Sequence, residues 1–249
     1  KNDDNALEMY TLQCRNHILK PLADKYGIDT SDQAIRAAVE QHNEVCRLIR
    51  AIGDFRKEAN PRVTGYEFHI LTMVSYVAPK HLIIDKLRET LEEIKTREPD
   101  AADKYRARVV FVGSEVDDVD VIRLVEESGA YVCADRFCYG SLPGRDEILL
   151  NDDEDVVKQV CRQVQGRAQC PRYWDMAKMT GRRDYVADLA KEYGADGIIY
   201  EQMKFCDPWA YERMIGTIVL RDEHGYPVLA VDRPYSIGSS LSLIHISEP

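Results

Sequence analysis

The feature that most constrains the fold is a change of hydrophobic period near residue 106. From there, short apolar runs of strand character alternate with amphipathic stretches that repeat at helical spacing. This alternation predicts a parallel sheet whose strands are joined by crossover helices. We expect an α/β fold with a four-stranded, doubly wound sheet of Rossmann-like or flavodoxin-like type, with strands at 108–112, 131–134, 197–200 and 228–231.

The residues before the sheet have a helical pattern. A long amphipathic helix is predicted to end before Pro61, because a residue that precedes proline avoids the helical region. Thr64 and Glu67 fit a capping box that opens a second helix, and Pro79 opens a third. These helices are predicted at 35–55, 64–77 and 79–95.

Both ends of the chain are expected to be cut. Residues 1–104 are interpreted as a helical segment, the remainder of a truncated upstream region, and residues 105–240 as an α/β domain. Residues 241–249 continue no earlier pattern and resemble translated adapter read-through, so we interpret them as a tail foreign to the native protein.

Composition excludes several classes of function. The formal net charge of −10 and the pI of about 5.2 argue against nucleic-acid and anionic-membrane partners, because no broad basic surface can form. No stretch is long and apolar enough to span a bilayer, and no signal peptide is visible, so we expect a cytoplasmic protein. Seven cysteines without CxxC pairs argue against a secreted disulfide framework.

Polar residues follow each predicted strand. Right-handed crossovers would collect the four carboxyl ends at one edge of the sheet, where open α/β sheets bind ligands. Ser114, Asp135 and Lys204 are candidates at this rim for contacts with a substrate. Asp135 and Glu201 could act there as acid or base, or could merely cap helices.

Cys206 is the candidate metal ligand. It follows the third strand, and Asp207 with Pro208 predicts that a helix starts directly after it. The helix dipole and the free N–H groups at a helix start favour the thiolate, the form that binds metal or attacks an electrophile. A buried, inert thiol is the alternative, since free cysteine is common in protein cores.

Other familiar site patterns are absent or ambiguous. The chain has no GxxxxGK[ST] loop for nucleotide phosphates and no GxSxG motif of a serine hydrolase. Cys133 and Cys161 are interpreted as buried thiols, whereas Cys138 and Cys170 are predicted in loops and remain open. A basic stretch at 167–183 is interpreted as a solvated face, with phosphate or acidic-partner binding as the alternative.

Five segments together resemble a known family. They are Asn-Pro-Arg-Val-Thr-Gly at 60–65, Gly-Ser-Glu at 113–115, Glu-Ser-Gly-Ala at 127–130, Asp-Gly-Ile-Ile-Tyr at 196–200 and Lys-Phe-Cys-Asp-Pro at 204–208. The chain is similar to the 2-hydroxyacyl-CoA dehydratase family, which includes benzoyl-CoA reductase subunits. The resemblance covers the chain to about Gly238, and its last segment is the most specific.

The resemblance implies a cofactor. Subunits of this family carry a four-iron, four-sulfur (4Fe-4S) cluster held by three cysteines, and Cys206 matches the last of them. The other two belong to an amino-terminal domain that we expect this chain to lack. Cys14, Cys46 and Cys133 sit in no matching context, so Cys206 alone is carried over as a ligand.

The resemblance also implies an activity for the parent protein. An ATP-driven iron–sulfur activator delivers one electron to a 2-hydroxyacyl-CoA, and a ketyl radical then loses water to give an enoyl-CoA. The partners implied are a second dehydratase subunit, the activator protein and the acyl-CoA substrate, and this chain alone is expected to be inactive. The alternatives are a benzoyl-CoA reductase subunit and a partner subunit that binds a cluster structurally without catalysing the reaction.

Overall fold

A parallel sheet forms the centre of the α/β part. The structure, a computed structural model, describes residues 4–99, 104–141, 146–167, 170–172 and 176–234. The strands are β1 (Ala107–Glu115), β2 (Ala130–Tyr139), β3 (Gly197–Met203) and β4 (Val228–Arg233). Their order is β2-β1-β3-β4, and each neighbouring pair is parallel. The predicted four-stranded parallel sheet is confirmed, with the strand order of flavodoxin-like folds.

Helices cover both faces of the sheet. Helix α6 (Asp120–Glu127) packs on one face, and α8 (Met176–Glu192) and α9 (Asp207–Asp222) pack on the other. Side chains of β1 alternate between these layers, so that Val109 and Phe111 meet α6 while Val110 and Val112 meet α8 and α9. The strand order reverses between β1 and β3, which makes their carboxyl ends the switch point of the sheet.

The helices before the sheet have a core of their own. They are α1 (Asp4–Cys14), α2 (Lys20–Tyr26), α3 (Asp32–Asp54), α4 (Gly65–Val77) and α5 (Lys80–Thr96), with a π-helical turn at Arg15–Leu19 and a 3-10 turn at Phe55–Lys57. Apolar residues of α3 such as Val45, Ile49 and Ile52 pack against α4 and α5. The predicted capping box of Thr64 and Glu67 is confirmed at the start of α4.

Helix α4 also contacts the sheet layer directly. The carboxylate of Glu126, in α6, accepts hydrogen bonds from the N–H groups of Gly65 at 2.8 Å, Tyr66 at 3.1 Å and Val132 at 3.3 Å. A Cβ at Gly65 would lie 2.6 Å from the Val132 carbonyl, so only glycine permits this approach. The helical segment therefore packs on the α/β part, and the boundary at 104 stays a prediction.

Helix α7 (Val156–Arg167) packs away from the sheet. Its residues Val156, Val157 and Cys161 are buried against Leu7 and Tyr10 of α1. None of the helices in the described ranges combines the length and the apolar character needed to cross a membrane. The predicted foreign tail at 241–249 lies outside the described residues.

A buried charge cluster corrects the expectation for Arg182 and Arg183, the last two residues of the basic stretch, whereas Arg172 is exposed as predicted. Arg182 and Arg183 of α8 are buried or nearly so, and each bonds to the Glu212 carboxylate of α9 at 2.9 Å. They are neither a solvated face nor free to bind phosphate. Glu212 faces inward on α9, and the apolar residues Ile215 and Ile218 of the same helix are 40% and 53% exposed.

Candidate functional site

A network of buried polar side chains underlies the switch point. Glu201 of β3 is fully buried and accepts hydrogen bonds from Ser114 of β1 and Arg233 of β4. Ser114 Oγ donates to Glu201 Oε2 at 2.8 Å, and Arg233 Nε donates to Glu201 Oε1 at 3.0 Å. Burial raises the pKa of Glu201, while Arg233 and Ser114 act in the opposite direction. The network ties three strand ends together.

Gly113 makes room for this carboxylate. A Cβ at Gly113 would lie within 2.5 Å of Glu201 Oε2 and would also overlap the Glu201 backbone. The glycine in the Gly-Ser-Glu segment at 113–115 therefore serves close packing of β1 on β3.

The loop after β3 is held by hydrogen bonds from neighbouring strands. Met203 N–H donates to Ser114 Oγ at 2.7 Å, and Lys204 N–H donates to the Arg233 carbonyl at 2.8 Å. Phe205 then takes a left-handed backbone conformation with φ +71°, and its side chain is 97% exposed. This turn brings Cys206 to the edge, where its N–H donates to the Met203 carbonyl at 3.0 Å.

Cys206 lies half-buried at the start of α9. It is the N-cap residue itself, with Asp207 and Pro208 in the first turn, so the helix begins one residue earlier than it would with Asp207 as the cap. Burial raises the pKa of the Cys206 thiol and outweighs the Trp209 N–H and the Arg172 charge, which favour the thiolate. The helix start therefore favours the thiolate as predicted, but burial acts more strongly in the opposite direction.

The donor chemistry suits a single thiolate ligand to iron. Bound metal deprotonates a coordinating thiol, which removes the cost of burying a thiolate without a partner. In the part of the chain that the structure describes, no group of three or more His, Cys, Asp or Glu side chains could hold a metal ion. Cys206 therefore fits a cluster as one ligand, and the described residues do not complete a set of three around it.

Asp135 does not lie at the rim. Strand β2 continues to Tyr139, past the predicted end at 134, and Asp135 sits inside it opposite Phe111. Its carboxylate is buried, pairs with Arg56 at 3.3 Å and accepts the Ser141 N–H at 2.8 Å. Arg56 also stacks on the Phe68 ring, 3.6 Å from its centroid. Asp135 thus joins the 3-10 turn after α3 to the sheet.

The other two predicted contact residues differ in exposure. Ser114 is buried, and its hydroxyl is committed to Glu201 and Met203. Lys204 is exposed at the edge, two residues before Cys206, and its ammonium group has no partner among the described side chains. Of Ser114, Asp135 and Lys204, only Lys204 projects where a ligand at this edge could reach it.

Two features of the edge were not predicted from the sequence. Arg233 as the partner of Glu201 could have been suspected, because a charge inside an apolar strand needs an opposite charge. The second feature concerns Cys138, which was predicted in a loop but lies in β2, where its sulfur accepts the Trp209 Nε1–H at 2.9 Å. No local pattern relates these two residues, because Trp209 lies in α9.

Comparison with known proteins gives the chain a family. The (R)-phenyllactyl-CoA dehydratase beta subunit of Clostridium sporogenes is 25% identical over 186 residues, 75% of this chain and 48% of that protein. A benzoyl-CoA reductase subunit of Thauera aromatica is 24% identical over 213 residues, 85% of this chain and 54% of that protein. The chain spans about half the length of these relatives. Residues 2–240 match the family described as 2-hydroxyglutaryl-CoA dehydratase, D-component, and the chain belongs to that family.

Proposed function

We propose that this chain is part of a subunit of an iron–sulfur 2-hydroxyacyl-CoA dehydratase, in which Cys206 supplies one thiolate to a 4Fe-4S cluster. The parent enzyme would eliminate water from a 2-hydroxyacyl-CoA to give an enoyl-CoA, after one-electron activation by an ATP-dependent iron–sulfur protein. The family match and the name of the C. sporogenes relative support the reaction class.

One observation carries the assignment of Cys206. Its thiol is half-buried beside the switch point, on a loop whose backbone is hydrogen bonded to Ser114 and Arg233. A ligand cysteine needs a fixed position and restricted access of water, because outer-shell contacts and exposure set the properties of an iron–sulfur cluster. Cys206 meets both requirements.

The other candidate residues near this edge would either contact the substrate or hold the residues around it in position. Lys204 is the candidate for contact with the phosphates or thioester of the acyl carrier, because its cation is exposed next to Cys206. Ser114 and Asp135 stay predictions as substrate contacts, but their buried hydrogen bonds favour a positioning role. When bound, the cluster supplies a low-potential electron, and the chain's part is to hold one iron ligand and shield it.

Two other functions fit the same family. The T. aromatica relative is named as part of a benzoyl-CoA reductase, so reduction of an aromatic acyl-CoA is the second enzymatic candidate. A subunit that binds a cluster structurally, while its partner subunit performs the reaction, is the third. Both named relatives are subunits, which supports a multi-subunit parent in each case.

The test compares two cysteines at the same edge. The longer protein that contains this chain is expressed anaerobically with its partner subunit, as wild type, Cys206→Ser and Cys170→Ser. Iron, sulfide and the visible spectrum are measured before any assay. We expect Cys206→Ser to lose the cluster of this subunit and Cys170→Ser to keep it, because only Cys206 lies in the matching segment.

Turnover then separates the three functions. With activator and ATP, a dehydratase converts a 2-hydroxyacyl-CoA, whereas a reductase consumes benzoyl-CoA. The structural function is indicated if Cys206→Ser removes the cluster but leaves turnover unchanged. Unchanged iron content in Cys206→Ser would overturn the assignment of Cys206 as a ligand.

A further inference from the structure

The outward face of α9 carries apolar side chains. The helix packs on the sheet through its opposite face, where the buried residues are Trp209, Glu212, Gly216 and Leu220. On the outward face, Tyr211 and Met214 are 58% and 67% exposed, and Ile218 lies in line with them. A surface helix normally presents polar residues to water, so this face has the pattern of one that another element covers.

The arrangement of these side chains is regular. Single exposed apolar residues are common on protein surfaces and need no explanation. In α9, residues follow one another along the outward face at alternating steps of four and three, and we call this row the α9 seam: Asp207, Tyr211, Met214, Ile218 and Arg221. Such steps give the seven-residue repeat of helices that pack side by side in coiled coils. The α9 seam therefore fits a second helix.

The charges at the two ends of the α9 seam are complementary. Asp207 is exposed in the first turn of α9, and Arg221 is exposed in its last turn. Both lie equally far along the helix from Met214, on opposite sides of it. When a second α9 runs antiparallel to the first about a twofold axis at Met214, Asp207 of each copy faces Arg221 of the other. The α9 seam is therefore complementary to itself in both charge and apolar character.

We propose that the α9 seam binds the α9 seam of a second copy of this chain, antiparallel and about a twofold axis at Met214, to form a homodimer. Both copies use the same patch, which is the interface geometry of twofold dimers. The inference depends neither on Cys206 as a ligand nor on the reaction proposed above.

The dimer is expected to be weak. Two copies of net charge −10 repel each other at long range, and one pair of helices buries less surface than a standard interface of about 1,600 Å². Arg221 also pairs with its neighbour Asp222 at 2.7 Å, but this pair is exposed and contributes little. We expect a dissociation constant of about 10–100 µM, so that dilute solutions used to measure unfolding contain the monomer.

The first experiment measures mass against concentration. The reduced, metal-free chain is examined by sedimentation equilibrium from about 5 to about 500 µM in about 0.15 M salt, which screens the long-range repulsion. The average mass should rise from 28.5 kDa towards twice that value. Met214→Glu should weaken association at least about tenfold, because two carboxylates would meet at the twofold axis. Val164→Glu is the control, since Val164 is an exposed apolar residue of α7, outside the seam, and should leave association unchanged.

A charge exchange tests the antiparallel register. Arg221→Glu and Asp207→Lys each place like charges opposite one another in the homodimer, and each should weaken association about tenfold. An equimolar mixture of the two variants restores both opposite-charge pairs, so its dissociation constant should return to within about twofold of wild type. A folding defect in one variant would not be corrected by mixing.

Circular dichroism reports whether each variant is folded. If a charge variant is not, the comparison of Met214→Glu with Val164→Glu decides the question. A monomer at every concentration would overturn the proposal and leave the outward face of α9 to the other half of a longer protein. A dimer that is insensitive to Met214→Glu, or charge variants that do not rescue each other, would overturn the proposed seam and register.

Discussion

The hydroxyl of Ser114 accepts the backbone N–H of Met203 at 2.7 Å, a contact that joins the end of β1 to the end of β3. The same hydroxyl donates to Glu201, so that both of its roles are used within the protein. The loop that carries Cys206 thus depends on a side chain from another strand.

Ser114→Ala should destabilise the chain. The substitution leaves the Met203 N–H without its acceptor and removes one of the two hydrogen bonds to Glu201 Oε2, which keeps the backbone N–H of residue 114 at 3.1 Å; we expect a cost of about 1–3 kcal/mol of unfolding free energy. Urea denaturation followed by circular dichroism measures the change. Ser128→Ala is the matched control, because the Ser128 hydroxyl is exposed and donates to the Leu124 carbonyl of its own helix. A loss equal to that of Ser114→Ala would contradict the argument.

Arg233→Met should be more destabilising and strongly dependent on pH. It leaves the buried Glu201 carboxylate without its cation, a change that costs about 3–5 kcal/mol. Burial raises the pKa of Glu201 in the folded state, so protonation favours folding. The loss of unfolding free energy in Arg233→Met should be complete when the pH is above the pKa of Glu201 in the folded protein. It should shrink as the pH falls towards the pKa of Glu201 in the unfolded chain.

The measurement for Arg233→Met is the difference in unfolding free energy from wild type at about pH 8 and at about pH 5. Arg221→Met serves as the control, because Arg221 pairs with Asp222 on the surface and its loss should have no measurable effect at either pH. A difference for Arg233→Met that grows on acidification would contradict the role given to Glu201.

Phe205→Gly should stabilise the isolated chain. Phe205 has φ +71°, a conformation that costs a residue with a Cβ about 1–2 kcal/mol, and its exposed ring contributes little packing. The free energy of unfolding should rise by about 1 kcal/mol or slightly less, since glycine also increases the conformational entropy of the unfolded chain. Phe205→Ala keeps the Cβ and should leave stability unchanged; a similar gain in both variants would argue against backbone strain.

Two glycine substitutions should have opposite effects. Gly113→Ala places a Cβ against the Glu201 carboxylate and backbone and should cost about 1–3 kcal/mol. Gly166→Ala, in α7, meets nothing within 4 Å and should gain about 0.5–1 kcal/mol of unfolding free energy through helix propensity. Thermal melts of the two variants, compared with wild type, give the two signs directly.

The sheet and its switch point could be predicted because they depend on local patterns. Apolar runs broken by helical periodicity define four parallel strands, and handed crossovers place their ends together. The position of Cys206 at that edge follows from the same pattern. The capping box at Thr64 is equally local, since its two members are three residues apart.

The places where prediction failed depend on contacts between distant segments. Asp135 looked like the end of a strand because it is charged, but Arg56 lies against it from the helical segment and allows β2 to continue. Likewise, Glu212 faces inward because Arg182 and Arg183 of α8 meet it there. In the sequence, a charged residue that is paired with a distant residue in the folded protein looks the same as a charged residue that is exposed.

The environment of Cys206 could not be obtained from helix position alone. A helix start favours thiolate in general, but the effect of burial depends on how neighbouring elements cover the sulfur. The hydrogen bond from Trp209 to Cys138 also arises from folding, since it joins α9 to β2.

The hydrogen bonds of the Glu126 carboxylate determine where this protein can be truncated without loss of contacts. Its hydrogen bonds to Gly65, Tyr66 and Val132 mean that the first turn of α4 and the opening of β2 share one anion. A version that begins at residue 105 would leave the Glu126 carboxylate without the N–H groups of Gly65 and Tyr66, and it would expose the apolar surface against which Tyr66 packs. The helical segment alone would begin α4 without the carboxylate that accepts these two N–H groups. Both cuts remove these contacts, so truncated versions should keep residues 64–66 together with the sheet.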